Sequence, residues 1–195
     1  MTSTVAAVLA TVIHTGTRAT LRSLTPGFDY ILPLRDPAQP SGSVMRWEHV
    51  TPKMFGELSA VLDTAPGIVT LRDPLASLIS TLKQRDSTAV EHVADWLELA
   101  KLFAKYPGML SVRIDHDPDA DLTDVATALS FYAPPLPVIV IGETDPTALS
   151  IAYANRDWPY IQSAMGDDVA VLRDAENVLR PLLEARGYTD LIWYS

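Results

Sequence analysis

Arg72 and Ser80 stand eight residues apart in Val69-Thr70-Leu71-Arg72-Asp73-Pro74-Leu75-Ala76-Ser77-Leu78-Ile79-Ser80, where an apolar run meets a helical repeat. A guanidinium at the tip of a strand presents a fork of donors that matches the oxygens of a phosphate. A serine hydroxyl about two helical turns later can donate to the same anion. Upstream, His14-Thr15-Gly16-Thr17 occupies a similar strand-to-helix corner. The first N–H groups of a helix have no carbonyl four residues back, so they attract phosphate. Gly16 permits close approach of the backbone, and the hydroxyls of Thr15 and Thr17 add donors. Two such corners side by side make a pocket for an anion carrying two phosphate groups.

These residues need a scaffold that brings strand ends together. Strand candidates are Val5–Ile13, Phe28–Leu32, Ile68–Leu71, Met109–Ile114 and Val138–Ile141, all short and apolar. Helical stretches separate most of them, which predicts an α/β fold with a parallel sheet covered by helices on both faces. The first helix is expected over Thr17 to Leu24, stopping at Thr25-Pro26-Gly27, with an irregular loop from Arg35 to about Trp47. Thr51-Pro52 opens a second helix, with Phe55, Leu58, Val61 and Leu62 facing inward. Pro74 starts the helix carrying Leu75, Leu78, Ile79 and Leu82. Thr88 and Glu91 spell a capping box, and Val90, Val93, Leu97, Ala100 and Ala104 suggest the buried stripe of the helix that follows. Further helices are expected over Asp121–Phe131 and Asp167–Arg186, the last closing at Gly187. Ligands of such sheets lie beyond the carboxyl ends of the strands, where both corners fall.

The 195 residues, 48% hydrophobic and 20% charged, fit one globular α/β domain spanning 1–195. A net charge of −9 argues against a nucleic-acid partner, although Arg18, Arg22, Arg72 and Arg156 could still build a local basic pocket. The chain has no cysteine, which removes thiol chemistry and disulfides and fits a cytoplasmic address. The stretch from Val5 to Ile13 is too short to span a bilayer, and no lysine or arginine precedes it as in a signal peptide. No membrane partner is therefore expected.

The corner motifs together resemble the sulfotransferases that use 3′-phosphoadenosine-5′-phosphosulfate (PAPS), a family with a P-loop-like fold. His14-Thr15-Gly16-Thr17 is similar to that family's loop for the 5′-phosphosulfate, and Arg72 with Ser80 matches its 3′-phosphate pair at the same spacing. His49-Val50-Thr51-Pro52, 23 residues before Arg72, resembles the site of the general base in the cytosolic branch. Arg156-Asp157-Trp158 and the segment Arg180 to Tyr188 are similar to the segment that closes over the nucleotide and to the final helix. The resemblance implies PAPS as cofactor with no metal, and a small-molecule or glycan acceptor. It implies phosphate contacts from His14, Thr15, Gly16, Thr17, Arg18, Arg72 and Ser80, and catalysis by His49 with His14 or Arg18. The chain departs from the family at His14, where a lysine or arginine is usual; an imidazole is mostly neutral at pH 7. It is also short, and the missing length is expected in acceptor-binding loops.

A P-loop kinase or phosphotransferase using ATP and magnesium is the nearest alternative, and a nucleotide-binding relative without transfer activity another. No Gly-x-x-x-x-Gly-Lys-Ser/Thr surrounds Gly16. Glu143, a conceivable magnesium-side carboxylate, is expected to begin a loop. Asp115-His116-Asp117-Pro118-Asp119-Ala120-Asp121 lacks the glycine and glutamate of a calcium loop and is expected to be a solvated acidic loop. The aromatic residues Trp158, Tyr160, Trp193 and Tyr194 are expected to serve packing.

Overall fold

In the computed structural model, residues 4–84, 87–130 and 147–194 are described. The expected strand Val138–Ile141 and Glu143 lie outside them. Five strands form one all-parallel sheet: β1 (Thr4–Thr11), β2 (Tyr30–Pro33), β3 (Ser43–His49), β4 (Gly67–Leu71) and β5 (Leu110–Arg113), in the order β2-β3-β1-β4-β5. The described helices are α1 (Thr17–Leu24), α2 (Phe55–Leu62), α3 (Pro74–Gln84), α4 (Ala89–Lys105), α5 (Pro118–Ala128), α6 (Ala148–Ala154), α7 (Trp158–Met165), α8 (Asp167–Asp174) and α9 (Glu176–Glu184). None of them is long and apolar enough to cross a membrane.

The period of two along β1 sorts its side chains into two cores. Ala7 and Leu9 join Met45, Ile68 and Val112 beneath Leu24 of α1 and Leu122 and Val125 of α5. Val8, Ala10 and Val12 join Val69 and Leu71 on the other face, beneath α2, α3, α4 and the last helices. Ala7, Val8, Leu9 and Ala10 are all completely buried, as expected of a central parallel strand. In register, Thr11 lies beside His49 on β3 and beside Thr70 on β4. The chain therefore leaves β1, β3 and β4 at one edge of the sheet, within a few residues of His14, His49 and Arg72.

Three expectations change. Ser43–His49 is a strand where a loop was expected, and it lies inside the sheet between β2 and β1. Its Arg46 is buried, with its guanidinium bonded to the carbonyls of Pro33 at 3.1 Å, Asp36 at 2.9 Å and Ala38 at 2.6 Å. Those carbonyls, at the end of β2 and in the loop after it, satisfy a charge that would otherwise forbid an interior position. On α4 the capping box of Thr88 and Glu91 forms, but the buried face is turned relative to the apolar positions. His92, Val93, Trp96, Leu99 and Phe103 face inward, while Val90 is 64% exposed. Ser77 Oγ and Thr81 Oγ1 of α3 lie 2.9 and 3.3 Å from the two ring nitrogens of His92, so a polar residue takes the place of an apolar one. Finally, the helix expected over 121–131 begins at Pro118, capped by Asp117, and that over 167–186 is broken at Ala175 into α8 and α9. The last helix closes at Gly187 as expected. That residue has φ 89°, and Tyr188 N–H reaches back to the Leu183 carbonyl at 2.9 Å.

Candidate anion-binding site

A cavity of about 680 Å³ opens beyond the carboxyl ends of the strands. Its wall includes His14, Gly16, Thr17 and Arg18 from the first corner, His49 from β3, and Arg72 and Ser80 from the second corner. Residues drawn from three separate stretches of sequence thus share one space.

The first corner is built around a left-handed bend. His14 has φ 63° and Gly16 φ 86°. For His14 this conformation costs on the order of 1–2 kcal/mol. At Gly16 a Cβ would also lie 2.5 Å from Ile114 Cγ1, so only glycine fits between the corner and the end of β5. Gly16 is the N-cap of α1 and supplies no side-chain cap, which leaves the first N–H groups of the helix facing the cavity. The Thr17 hydroxyl beside them is buried and lacks a hydrogen-bond partner. A buried unpaired hydroxyl costs roughly 1–3 kcal/mol, a cost that an incoming acceptor would remove.

Thr15 behaves differently from the expectation that it would bind phosphate. Its hydroxyl lies 2.7 Å from both the Val12 carbonyl and Thr70 Oγ1, and its N–H bonds the same carbonyl at 3.3 Å. The tight turn aims this side chain into the sheet, where it ties the corner to β4. Its donors are used inside the fold.

Arg72 follows β4 by one residue. Its Nη1 donates to the His14 carbonyl at 3.4 Å and so bridges the two corners. No carboxylate among the described residues pairs with it, and the neighbouring Asp73 turns to the opposite side. Ser80 lies on the second turn of α3 and lines the cavity from above. Arg22 is exposed on the last turn of α1 and is not part of the wall.

His49 ends β3, and the same strand period puts Trp47 on its face. The rings meet edge-on with centroids 5.7 Å apart. Nδ1 lies 2.9 Å from Thr11 Oγ1, and the backbone N–H donates to the Glu48 carboxylate at 3.0 Å. Burial lowers the imidazole pKa below 6.5, the Glu48 charge and a hydrogen bond to the Thr11 backbone oppose this, and the nearby His14 adds to it. The outcome is a neutral ring at pH 7, able to accept a proton. Ile13, Ala19, Leu21, Trp47, Gln84 and Ile114 complete the wall. Trp47 was legible only through β3: had the strand been recognised, two residues' spacing would have placed it beside His49.

The late segments lie elsewhere. Arg156 lines a second cavity, of about 500 Å³, and pairs with Asp190 at 3.0 Å. Asp157 caps α7 through Tyr160 N–H at 3.2 Å, and Trp158 packs against the larger core. Arg180 pairs with Glu176 and stacks 4.2 Å above the Tyr194 ring. The acidic run is largely exposed, with 115–117 a turn ahead of α5, but two of its carboxylates are tied into the fold. Asp115 accepts from the Asp73 N–H at 2.7 Å and the Tyr188 hydroxyl at 2.5 Å, and Asp121 forks onto Arg113 at 2.9 and 2.7 Å. No family model and no curated protein matches the chain.

Proposed function

We propose that this chain is a PAPS-dependent sulfotransferase with a sulfotransferase-like, P-loop-like fold, acting on a hydroxyl or amine of a small-molecule or glycan acceptor. The observation that carries this reading is the single cavity that receives both anion-binding corners and the neutral imidazole of His49. The uncapped start of α1 and the unpartnered Thr17 hydroxyl fit the 5′-phosphosulfate end. Arg72 and Ser80 fit the 3′-phosphate.

When bound, PAPS supplies the sulfuryl group, whose bond to the 5′-phosphate oxygen breaks as the acceptor oxygen or nitrogen bonds to sulfur. The protein's part is to position and to hold charge. Gly16 and Thr17 fix the donor end, and Arg72 and Ser80 fix the far end. His49 takes the acceptor proton. His14 or Arg18 donates to the oxygen on which negative charge is left. The imidazole at position 14, in place of a fixed cation, favours one second reading: nucleotide binding without transfer.

Calorimetry with 3′-phosphoadenosine-5′-phosphate against ATP plus magnesium tests the cofactor. The bisphosphate is expected to bind and ATP with magnesium to bind far more weakly; the reverse order would assign a phosphotransferase. Arg72→Ala is expected to weaken the bisphosphate about 10- to 100-fold, the worth of a charged hydrogen bond of about 1.5–3 kcal/mol. AMP binding should change much less. Equal weakening of both ligands would show that Arg72 does not read the 3′-phosphate.

A further inference from the structure

We propose that Thr15 and Thr70 are positioning residues of the anion corner: their paired hydroxyls lock the bend after β1 in the form that aims the first N–H groups of α1 into the cavity. The inference rests on that corner holding the 5′-phosphate end. Both threonines are completely buried. Thr70 lies on β4 beside Thr11 of β1, and Ile68, two residues earlier on the same face, packs in the core beneath α1. Thr15 Oγ1 is 2.7 Å from the Val12 carbonyl and 2.7 Å from Thr70 Oγ1. A carbonyl can only accept and a threonine hydroxyl carries one hydrogen, so the Thr15 hydrogen is directed at Val12. The hydrogen between the two threonines therefore belongs to Thr70. Donation runs from Thr70 to Thr15 to the Val12 carbonyl.

The chain turns at that carbonyl. Thr15 N–H closes the turn on it at 3.3 Å, a long bond, and the hydroxyl of the same residue reinforces it. Inside the turn His14 takes φ 63°, and Gly16 follows at φ 86°. A non-glycine residue stays in that region only where its surroundings over-determine it. Here the doubled bond to Val12, the Thr70 hydroxyl from β4 and the Ile114 side chain against Gly16 do so together. The Gly16 carbonyl then accepts from the N–H groups of Ala19 and Thr20, both at 3.1 Å. The direction in which α1 leaves is thus inherited from a bend that two hydroxyls hold. Neither threonine is part of the cavity wall, so both act through the backbone of the corner.

The test is the paired variant Thr15→Val with Thr70→Val in the full chain. Removing both hydroxyls together keeps the β-branched shapes and orphans neither partner, so the fold should survive, as urea unfolding will show. Calorimetry is expected to show binding of 3′-phosphoadenosine-5′-phosphate weakened about tenfold. Adenosine 3′-phosphate, which lacks the 5′ group, should bind as it does to the unmodified chain. Thr15→Ser keeps the hydroxyl and should leave both affinities in place. Thr70→Val alone, the milder change, should give the same ligand-selective loss at about threefold, and it serves if the pair unfolds. Equal weakening of the two ligands, the same loss in Thr15→Ser, or an unchanged bisphosphate affinity in a folded variant would overturn the proposal. Titration of the ¹⁵N-labelled chain with inorganic sulfate, followed at the Gly16 and Thr17 amides, separates this role from the sulfotransferase reading. Sulfate shifts that vanish in the paired variant, with no bisphosphate bound by the unmodified chain, would sink that reading and leave the positioning role standing. Bisphosphate bound equally by both chains would sink the positioning role alone. Neither anion bound by the unmodified chain would sink both.

Discussion

The corner after β1 and the carboxylate cluster after β4 and β5 lie beyond the same edge of the sheet, yet they treat their polar groups in opposite ways. In the cluster, Asp73 is almost wholly buried and accepts from Leu75 N–H at 2.8 Å, Tyr153 hydroxyl at 2.7 Å and Trp193 Nε1 at 2.8 Å. Asp115 is likewise bonded to Asp73 N–H and the Tyr188 hydroxyl. Burial raises the Asp73 pKa and its three donors oppose the rise, with Asp115 adding to it. All of these bonds except the one from Leu75 join segments far apart in sequence, so the cluster fastens the C-terminal segment to the strand ends. At the β1 corner the bend is strained, the helix start is uncapped and the Thr17 hydroxyl has no partner. Saturated polar groups hold a fold together. Unsaturated ones, kept at a cost beside a cavity, point to a ligand.

The sharpest way to break this contrast is His49→Ala, which should reduce turnover about 10²–10⁴-fold if the ring is the base. The same ring predicts a pH profile. Its pKa lies below 6.5, so the base form is present at pH 7 and is lost as pH falls through that lowered value. The acid limb of kcat/KM should therefore lie below pH 6.5 and vanish in His49→Ala; a limb that persists would place the base elsewhere.

A second test asks whether saturated clusters answer to acid through stability instead of activity. His92, held between α3 and α4, is lowered to about 4 by burial, with His14 adding to the effect. Its folded pKa is below the unfolded value, so the neutral ring is favoured and stability is lost as pH falls from about 6.5 to about 4. The loss attributable to this group approaches about 3 kcal/mol. Urea unfolding at pH 7 and pH 4 should show that loss in the natural chain and not in His92→Gln; equal losses would remove His92 from the acid response.

The finest comparison pairs one hydroxyl from each region. Tyr188→Phe leaves an Asp115 oxygen unpaired and should cost about 1–2 kcal/mol in urea unfolding, with no change in bisphosphate affinity. Thr17→Val removes a hydroxyl that has no partner, so stability should be unchanged or slightly higher. Its binding of 3′-phosphoadenosine-5′-phosphate should weaken about tenfold, the worth of one hydrogen bond. A stability loss in Thr17→Val without an affinity change would erase the distinction between the two regions.

Much of the fold was legible because local signals agreed. Gly16 and Pro26 bracket α1, and its bounds are those expected from sequence. The runs around Val8 and Val69 are continuous apolar stretches, the pattern of strands buried on both faces. The strand β3 was hidden because Arg46, Glu48 and His49 make it read as polar. Only the folded chain shows the Pro33, Asp36 and Ala38 carbonyls that accept Arg46 inside the sheet. The same limit applied on α4, where apolar positions alone misplaced the buried face because His92 and Asp95 are part of it.

The candidate site divides along a similar line. Residue type and spacing were enough to nominate His14, Gly16, Thr17, Arg18, Arg72 and Ser80, because a left-handed glycine, a helix start and a forked cation are local chemistry, whereas His49 came from the family resemblance. Sequence could not tell that the Thr15 hydroxyl turns inward to Thr70, or that Arg156 serves another cavity. Nor could it show that Thr11 stands behind His49. Those facts depend on which strands lie side by side, and that order is set by packing between residues tens of positions apart.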